Sequence, residues 1–117
     1  MKSILTKSSN KLDQINDEYI EDRLRERGVE TLALEQGDKL LAVASIYSDS
    51  TCDFILLAEL SELDKFKFLR EIKKNLKTIR ETLFAFCKKE GIKENRLLKW
   101  LGFRLVGEIH EYNSYIW

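Results

Sequence analysis

The sequence predicts an α+β domain, a mixed and mostly antiparallel central sheet with helices on both faces, and three observations carry that prediction. The first is a run from Asp64 to Arg80 in which Phe66, Leu69, Ile72, Leu76 and Ile79 recur every three or four residues. That spacing puts them on one side of a helix, and Lys and Arg fill the other. The second is the pair Glu30 to Glu35 and Lys39 to Tyr47, apolar runs separated by Gln36-Gly37-Asp38. They read as two antiparallel strands about a glycine turn. The third is the alternation of helix-like and strand-like segments along the chain, which requires a layered arrangement with one shared core.

Taken in order, the chain opens with a short apolar run at Ile4-Leu5 and then Ser8-Ser9-Asn10, residue types that cap helix N-termini. Leu12, Ile15, Tyr19 and Leu24 follow at helical spacing until Gly28, which predicts a helix from Lys11 to Arg27. After the two-stranded unit, Ser48-Asp49-Ser50 is a turn, and Cys52 to Leu60 is apolar enough to predict a strand covered on both faces. Beyond the long helix, Leu83 to Cys87 reads as a short buried strand, and Lys93 to Leu101 as a short helix burying Leu97, Leu98 and Leu101 and closed by Gly102. Arg104 to Glu111 alternates Leu105, Val106 and Ile109 against polar neighbours, and Asn113-Ser114 turns the chain into a terminal Tyr115-Ile116-Trp117.

Length and composition narrow the possibilities. At 117 residues, with 44% hydrophobic and 34% charged side chains, the chain is one domain with a core of its own, residues 1–117. Its 20 Lys+Arg balance 20 Asp+Glu, so no excess of positive charge is present to displace counterions from a nucleic acid. No apolar stretch is long enough to span a bilayer, and Met1 to Leu5 lacks the longer apolar run of a signal peptide, so the expected location is the cytoplasm. Cys52 and Cys87 lie in apolar runs and read as reduced core residues; His110, with no second histidine and no cysteine nearby, supplies no metal site.

The order of elements resembles the GNAT acyltransferase fold in shortened form, and Asn95 to Glu108, with Lys99-Trp100-Leu101-Gly102-Phe103 at the helix end and Val106-Gly107-Glu108 on the next strand, is similar to its C-terminal signature. A more specific resemblance is to small GNAT-like virion and assembly proteins of short-tailed bacteriophages. It rests on Ile4 to Ser8, Cys52-Asp53-Phe54, Lys65 to Ile72 and Arg96 to Gly102 together. What the resemblance implies is a cofactor loop rich in glycine before the long helix, an asparagine after the next strand and a tyrosine one turn before the Gly-Phe. Here the loop is Glu59 to Lys65, without glycine and carrying Glu59, Glu62 and Asp64, while the other two positions fall on Gly91 and Leu98. Carboxylates close to a diphosphate oppose its binding.

The expectation that follows is a non-catalytic phage virion-associated or virion-assembly protein with a degenerate GNAT fold, without catalytic residues, metal or cofactor. Its partners would be phage structural or host proteins, its location the host cytoplasm or the virion. Tyr112, Tyr115 and Trp117 would serve as interaction residues, with self-association through the C-terminal sheet edge. One alternative is an acetyl-coenzyme A-dependent N-acetyltransferase with an atypical cofactor loop, holding its cofactor through Leu60, Ser61, Glu62, Leu63, Asp64 and Asn95. Its base would come from Glu30, Glu35, Asp53 or Glu59, or from His110 beside Glu108 and Glu111. A second alternative is a small phage inhibitor of a host protein.

Overall fold

In a computed structural model, which describes residues 2–117, the chain forms a seven-stranded sheet in the order β1-β2-β3-β4-β5-β7-β6. The strands are β1 (Ser3–Thr6), β2 (Glu30–Gln36), β3 (Lys39–Ile46), β4 (Thr51–Leu56), β5 (Phe84–Lys88), β6 (Arg104–Ile109) and β7 (Tyr112–Ile116). All neighbours are antiparallel except β4 and β5. The helices are α1 (Glu18–Leu24), α2 (Glu62–Leu76) and α3 (Ile92–Leu101), with a 3₁₀ turn at Leu12–Ile15.

Two cores lie on opposite faces of the sheet. Leu32, Leu34, Ala42, Ala44, Cys52, Ala85 and Tyr115 point to the face where Phe68, Ile72 and Leu76 of α2 and Leu98 and Leu101 of α3 close over them. Ala33, Leu40, Val43 and Tyr47 point the other way, against Leu12 of the 3₁₀ turn and Leu24 of α1. This alternation is the two-residue period of a strand sorting side chains between two covers. The cover on the α1 face is short. It reaches β2 and β3 but supplies no core residue over β5, β7 or β6.

Several boundaries differ from the sequence expectation for identifiable reasons. The helix expected from Lys11 to Arg27 divides, because Asn16 adopts φ 56° and Asp17 then caps a new helix by accepting the Ile20 N–H at 3.2 Å. The strand expected to run to Leu60 ends at Leu56, and α2 begins at Glu62, capped by the Ser61 hydroxyl, which accepts the Asp64 N–H at 3.1 Å. β5 is covered on one face, not two: Phe84 and Phe86 are 41% and 49% exposed on the face that α1 does not reach, whereas Ile55 of β4 still packs against the α1-side core.

The C-terminal strand is not an edge. β7 sits between β5 and β6, with Tyr115 buried and Trp117 packed against Phe103 at a ring separation of 5.5 Å. Of the residues expected to make surface contacts, only Tyr112 is substantially exposed. Gly102, at φ 111°, closes α3, and a Cβ there would lie 2.8 Å from the Trp117 ring. The glycine therefore lets the last residue fold back over the helix end.

Candidate functional site

Among the described residues the only parallel neighbours in the sheet are β4 and β5, and they separate almost at once. Their register holds only Thr51 against Phe84 and Cys52 against Ala85. The β3–β4 ladder fixes what this leaves open. Tyr47 N–H donates to the Thr51 carbonyl and Leu57 N–H to the Leu41 carbonyl, both at 2.9 Å. With an unbroken register between them, alternation turns the peptide groups of Thr51, Asp53, Ile55 and Leu57 toward β3, and those of Cys52, Phe54 and Leu56 toward β5. Beyond Cys52, β5 has left. The main chain of Phe54 and Leu56 therefore borders a gap.

That gap is a cleft of about 500 Å³ whose walls include Asp53, Phe54 and Leu56 of β4 and Phe86, Cys87 and Lys88 of β5. Leu97 and Leu98 of α3 bound it on one side, and Tyr112 of β7 on the other. Since Phe54 and Cys87 belong to the α2–α3 face and Phe86 and Lys88 alternate with Cys87, the cleft passes through the sheet from one face to the other.

At its β4 end the chain loops into α2. From Ala58 to Leu63 no backbone N–H has a hydrogen-bond partner among the described residues. Leu60 is buried and anchors the loop, while Ala58, Glu59, Ser61, Glu62 and Leu63 are exposed. Consecutive unpaired N–H groups running into a helix N-terminus are donors for an anion. The three carboxylates counted against such a role are partly occupied. Asp64 accepts from the Ser3 hydroxyl, Lys67 donates to the Ser3 carbonyl beside it, and Glu62 pairs with Lys65 at 3.4 Å. The absence of glycine leaves the main-chain donors intact, because the side chains of this loop are exposed or, for Leu60, folded inward.

Asn95 does not line this cleft as a free polar group. Its amide nitrogen donates to the Lys88 carbonyl at 2.9 Å and the Gly91 carbonyl at 2.7 Å. Its oxygen accepts from Asn113 Nδ2 at 3.0 Å and from the Tyr115 hydroxyl at 2.6 Å. All four hydrogen-bonding positions of the amide are filled, so Asn95 joins α3 to β5 and β7 and is withdrawn from the set Leu60, Ser61, Glu62, Leu63, Asp64 and Asn95. Leu98 is buried in the α3 wall, and Gly91 caps α3 beneath the Glu94 carboxylate.

The candidate bases separate equally clearly. Glu35 is buried and held by Ser9 and by Lys11 at 3.2 Å, a closed structural pair remote from the cleft walls. Glu30 belongs to a different hollow, beside Gly28 and Ile46. Glu59 is on the exposed loop, and His110 is exposed in the β6–β7 turn at φ 54°. Asp53 alone of these lines the cleft, and it accepts a hydrogen bond from the Tyr47 hydroxyl at 3.0 Å. The Arg23 guanidinium stacks 3.8 Å over the Tyr47 ring and so fixes the donor. Burial is the largest cause that pushes the Tyr47 hydroxyl up to about 12, the Asp53 charge adding to it, so Tyr47 stays a donor at neutral pH.

Both cysteines are free and buried. Burial, with the nearby charges of Asp53, Asp49 and Glu81, pushes the Cys52 thiol up to about 12, which leaves it protonated and a poor nucleophile. Among the described residues no group of His, Cys, Asp and Glu is placed to hold a metal ion. Among the described residues no helix is long and apolar enough to cross a membrane.

No protein-family model matches the sequence, and no curated protein matches it. Solved structures do. The ribosomal-protein-S18-alanine N-acetyltransferase of Escherichia coli superposes with a TM-score of 0.70 at 13% identity, over 98% of this chain and 91% of that one. The N-acetyltransferase PseH of Campylobacter jejuni, in complex with acetyl coenzyme A, gives 0.63 at 14% identity over 99% and 98%. The spermidine N-acetyltransferase of Vibrio cholerae gives 0.68 at 12% identity over 98% and 92%. The chain has the GNAT fold. The seven-stranded mixed sheet with helices on both faces bears out the fold expected from the sequence.

The expectation of a non-catalytic virion or assembly protein is corrected by the same finding. The three neighbours named, each matched over nearly the full chain, are N-acetyltransferases, one of them with acetyl coenzyme A bound, and none is a virion or assembly protein. Residue identity does not reveal the unpaired main-chain N–H groups of Ala58 to Leu63, which lie in the loop that follows the cleft's β4 wall.

Proposed function

We propose that the chain is an acyl-coenzyme A-dependent N-acyltransferase that holds its cofactor mainly by backbone. The observation that carries this reading is the parting of β4 from β5 immediately beyond Cys52 and Ala85, which leaves strand peptides facing a cleft. An extended arm bearing amides pairs with such peptides as an added strand does. The residues present fit the group: Phe54 and Leu56 for the amide-bearing arm, apolar walls at Leu97 and Leu98, and the Ala58 to Leu63 N–H groups for the diphosphate.

Bound there, an acyl-coenzyme A would supply an activated thioester: the acceptor, having lost one proton to solvent as the free amine, would take the acyl group at its nitrogen as the carbon–sulfur bond breaks, and the thiol would leave with the second proton the nitrogen gives up. The chain's own contribution is positional. The α2–α3 face receives one reactant and the α1 face admits the other, and the through-sheet cleft lets them meet, which converts an encounter in solution into a local one. Asp53, held by Tyr47, is the carboxylate on the acceptor side.

The test is turnover. Purified protein with acetyl coenzyme A and a panel of primary amines is expected to release thiol at a rate proportional to enzyme and to yield the N-acetyl product by mass spectrometry. Thiol release equal to the protein-free rate for every amine contradicts the reading.

A further inference from the structure

On the α1 face the cleft opens onto an uncovered aromatic surface. Alternation along β5 directs Phe84, Phe86 and Lys88 to this face, and the register sets Lys88 against Tyr112 and Phe86 against Ser114. Phe84, Phe86 and Tyr112 are 41%, 49% and 38% exposed. A contiguous apolar patch of this kind at the mouth of a cleft marks a binding surface. Three carboxylates line the cleft. Glu90, in the turn after β5, and Glu94, on α3, belong to its α3 end, which leaves Asp53 as the anion on the aromatic side. Lys88 adds one positive charge on that side.

We infer that the acceptor is a monoamine carried on an aromatic or similarly apolar body; this rests on the transferase reading above. Asp53 takes the ammonium group. Its carboxylate is fixed by the Tyr47 hydroxyl at 3.0 Å, so the charge is already placed when the amine arrives. The apolar body covers Phe86 and Tyr112, whose ring faces also attract the cation. Lys88 sets the limit of the class. A polyamine laid along the same surface brings a second or third ammonium group near the Lys88 ammonium, and like charges at short range oppose binding.

The experiment is a set of NMR titrations of the protein without acetyl coenzyme A, using 2-phenylethylamine, ethylamine and spermidine. 2-Phenylethylamine is expected to bind at least about tenfold more tightly than either of the others, the order of discrimination an apolar contact provides, with shifts at Asp53, Phe86 and Tyr112. Asp53→Asn, which preserves an acceptor for Tyr47, is expected to weaken it at least about fivefold, and Phe86→Ala to abolish the preference over ethylamine. Phe86 is exposed, so the latter variant retains its fold. Spermidine binding as tightly as 2-phenylethylamine overturns the inference, as does an unchanged affinity in Asp53→Asn or no binding of 2-phenylethylamine. Aryl amine binding by a protein that does not bind acetyl coenzyme A supports this acceptor site while removing the transferase reading.

Discussion

Replacing Asn95 with alanine is expected to lower the unfolding free energy by about 3 kcal/mol, the upper range for loss of a satisfied polar network. The size follows from what is left behind. The Tyr115 hydroxyl, on a residue 1% exposed, loses the oxygen it donates to, and the carbonyls of Lys88 and Gly91 lose a donor. A buried polar group stranded in this way carries its full desolvation cost, unlike one removed together with its partner. Tyr115→Phe, which removes the hydroxyl instead, is therefore expected to cost only about 1 kcal/mol. The double variant is expected to be more stable than the two single losses added together. Denaturant unfolding with an unchanged slope measures all three. An Asn95→Ala loss under about 1 kcal/mol contradicts the account of this network. The residue also fixes α3 against β5 and β7, so its removal frees one wall of the cleft.

Leu56→Pro is expected to separate binding from folding. The Leu56 N–H faces the gap left by β5, while its neighbour Leu57 bonds Leu41. Proline removes a donor that the sheet does not use, at a position whose side chain is 54% exposed. Ile55, the residue before it, already has the extended conformation a following proline demands. Proline is tolerated where a strand N–H has no ladder partner, so stability is expected to change by less than about 1 kcal/mol. Affinity for acetyl coenzyme A is expected to fall at least about tenfold, the value of one lost hydrogen bond whose partner stays buried. Ile55→Pro is the control, since that N–H belongs to the β3 ladder. It is expected to unfold the protein. Unchanged affinity in Leu56→Pro would place the cofactor elsewhere.

Much of the fold is legible in the residues because local pattern decides it. The three- and four-residue spacing from Phe66 to Leu76 makes α2, and Gly37 sits between β2 and β3 at φ 59°. What was not legible depends on contacts distant in sequence. Nothing in Tyr112 to Trp117 says that β6 would lie outside β7 and leave the terminal strand interior. Leu83 to Cys87 reads as buried because every residue is apolar, yet burial needs a cover, and the α1 layer reaches no further than β4. The alternation Phe84-Ala85-Phe86-Cys87, large against small, separates the exposed face from the buried one.

The candidate site followed the same division. Ser61 caps α2, as its residue type implies. Main-chain donors leave no trace in residue identity, so the residues of the loop before α2 do not show that its N–H groups are unpaired. Asn95 was singled out for the cleft, but its amide is consumed by Tyr115 and Asn113, partners 20 and 18 residues away. Asp53 was one acidic strand residue among several. The structure distinguishes it by the separation of β4 from β5 and by the Tyr47 hydroxyl.

The proposed transferase holds its acyl-coenzyme A in the cleft between β4 and β5 through backbone groups. A titration with acetyl coenzyme A followed by amide chemical shifts tests it most directly. Saturable binding is expected, with a dissociation constant of about 1–100 µM, within the span of Michaelis constants of working enzymes. The largest shifts are predicted at Phe54, Leu56 and Ala58 to Leu63. Absence of saturation up to about 1 mM, or shifts confined to residues outside the cleft and this loop, would contradict it.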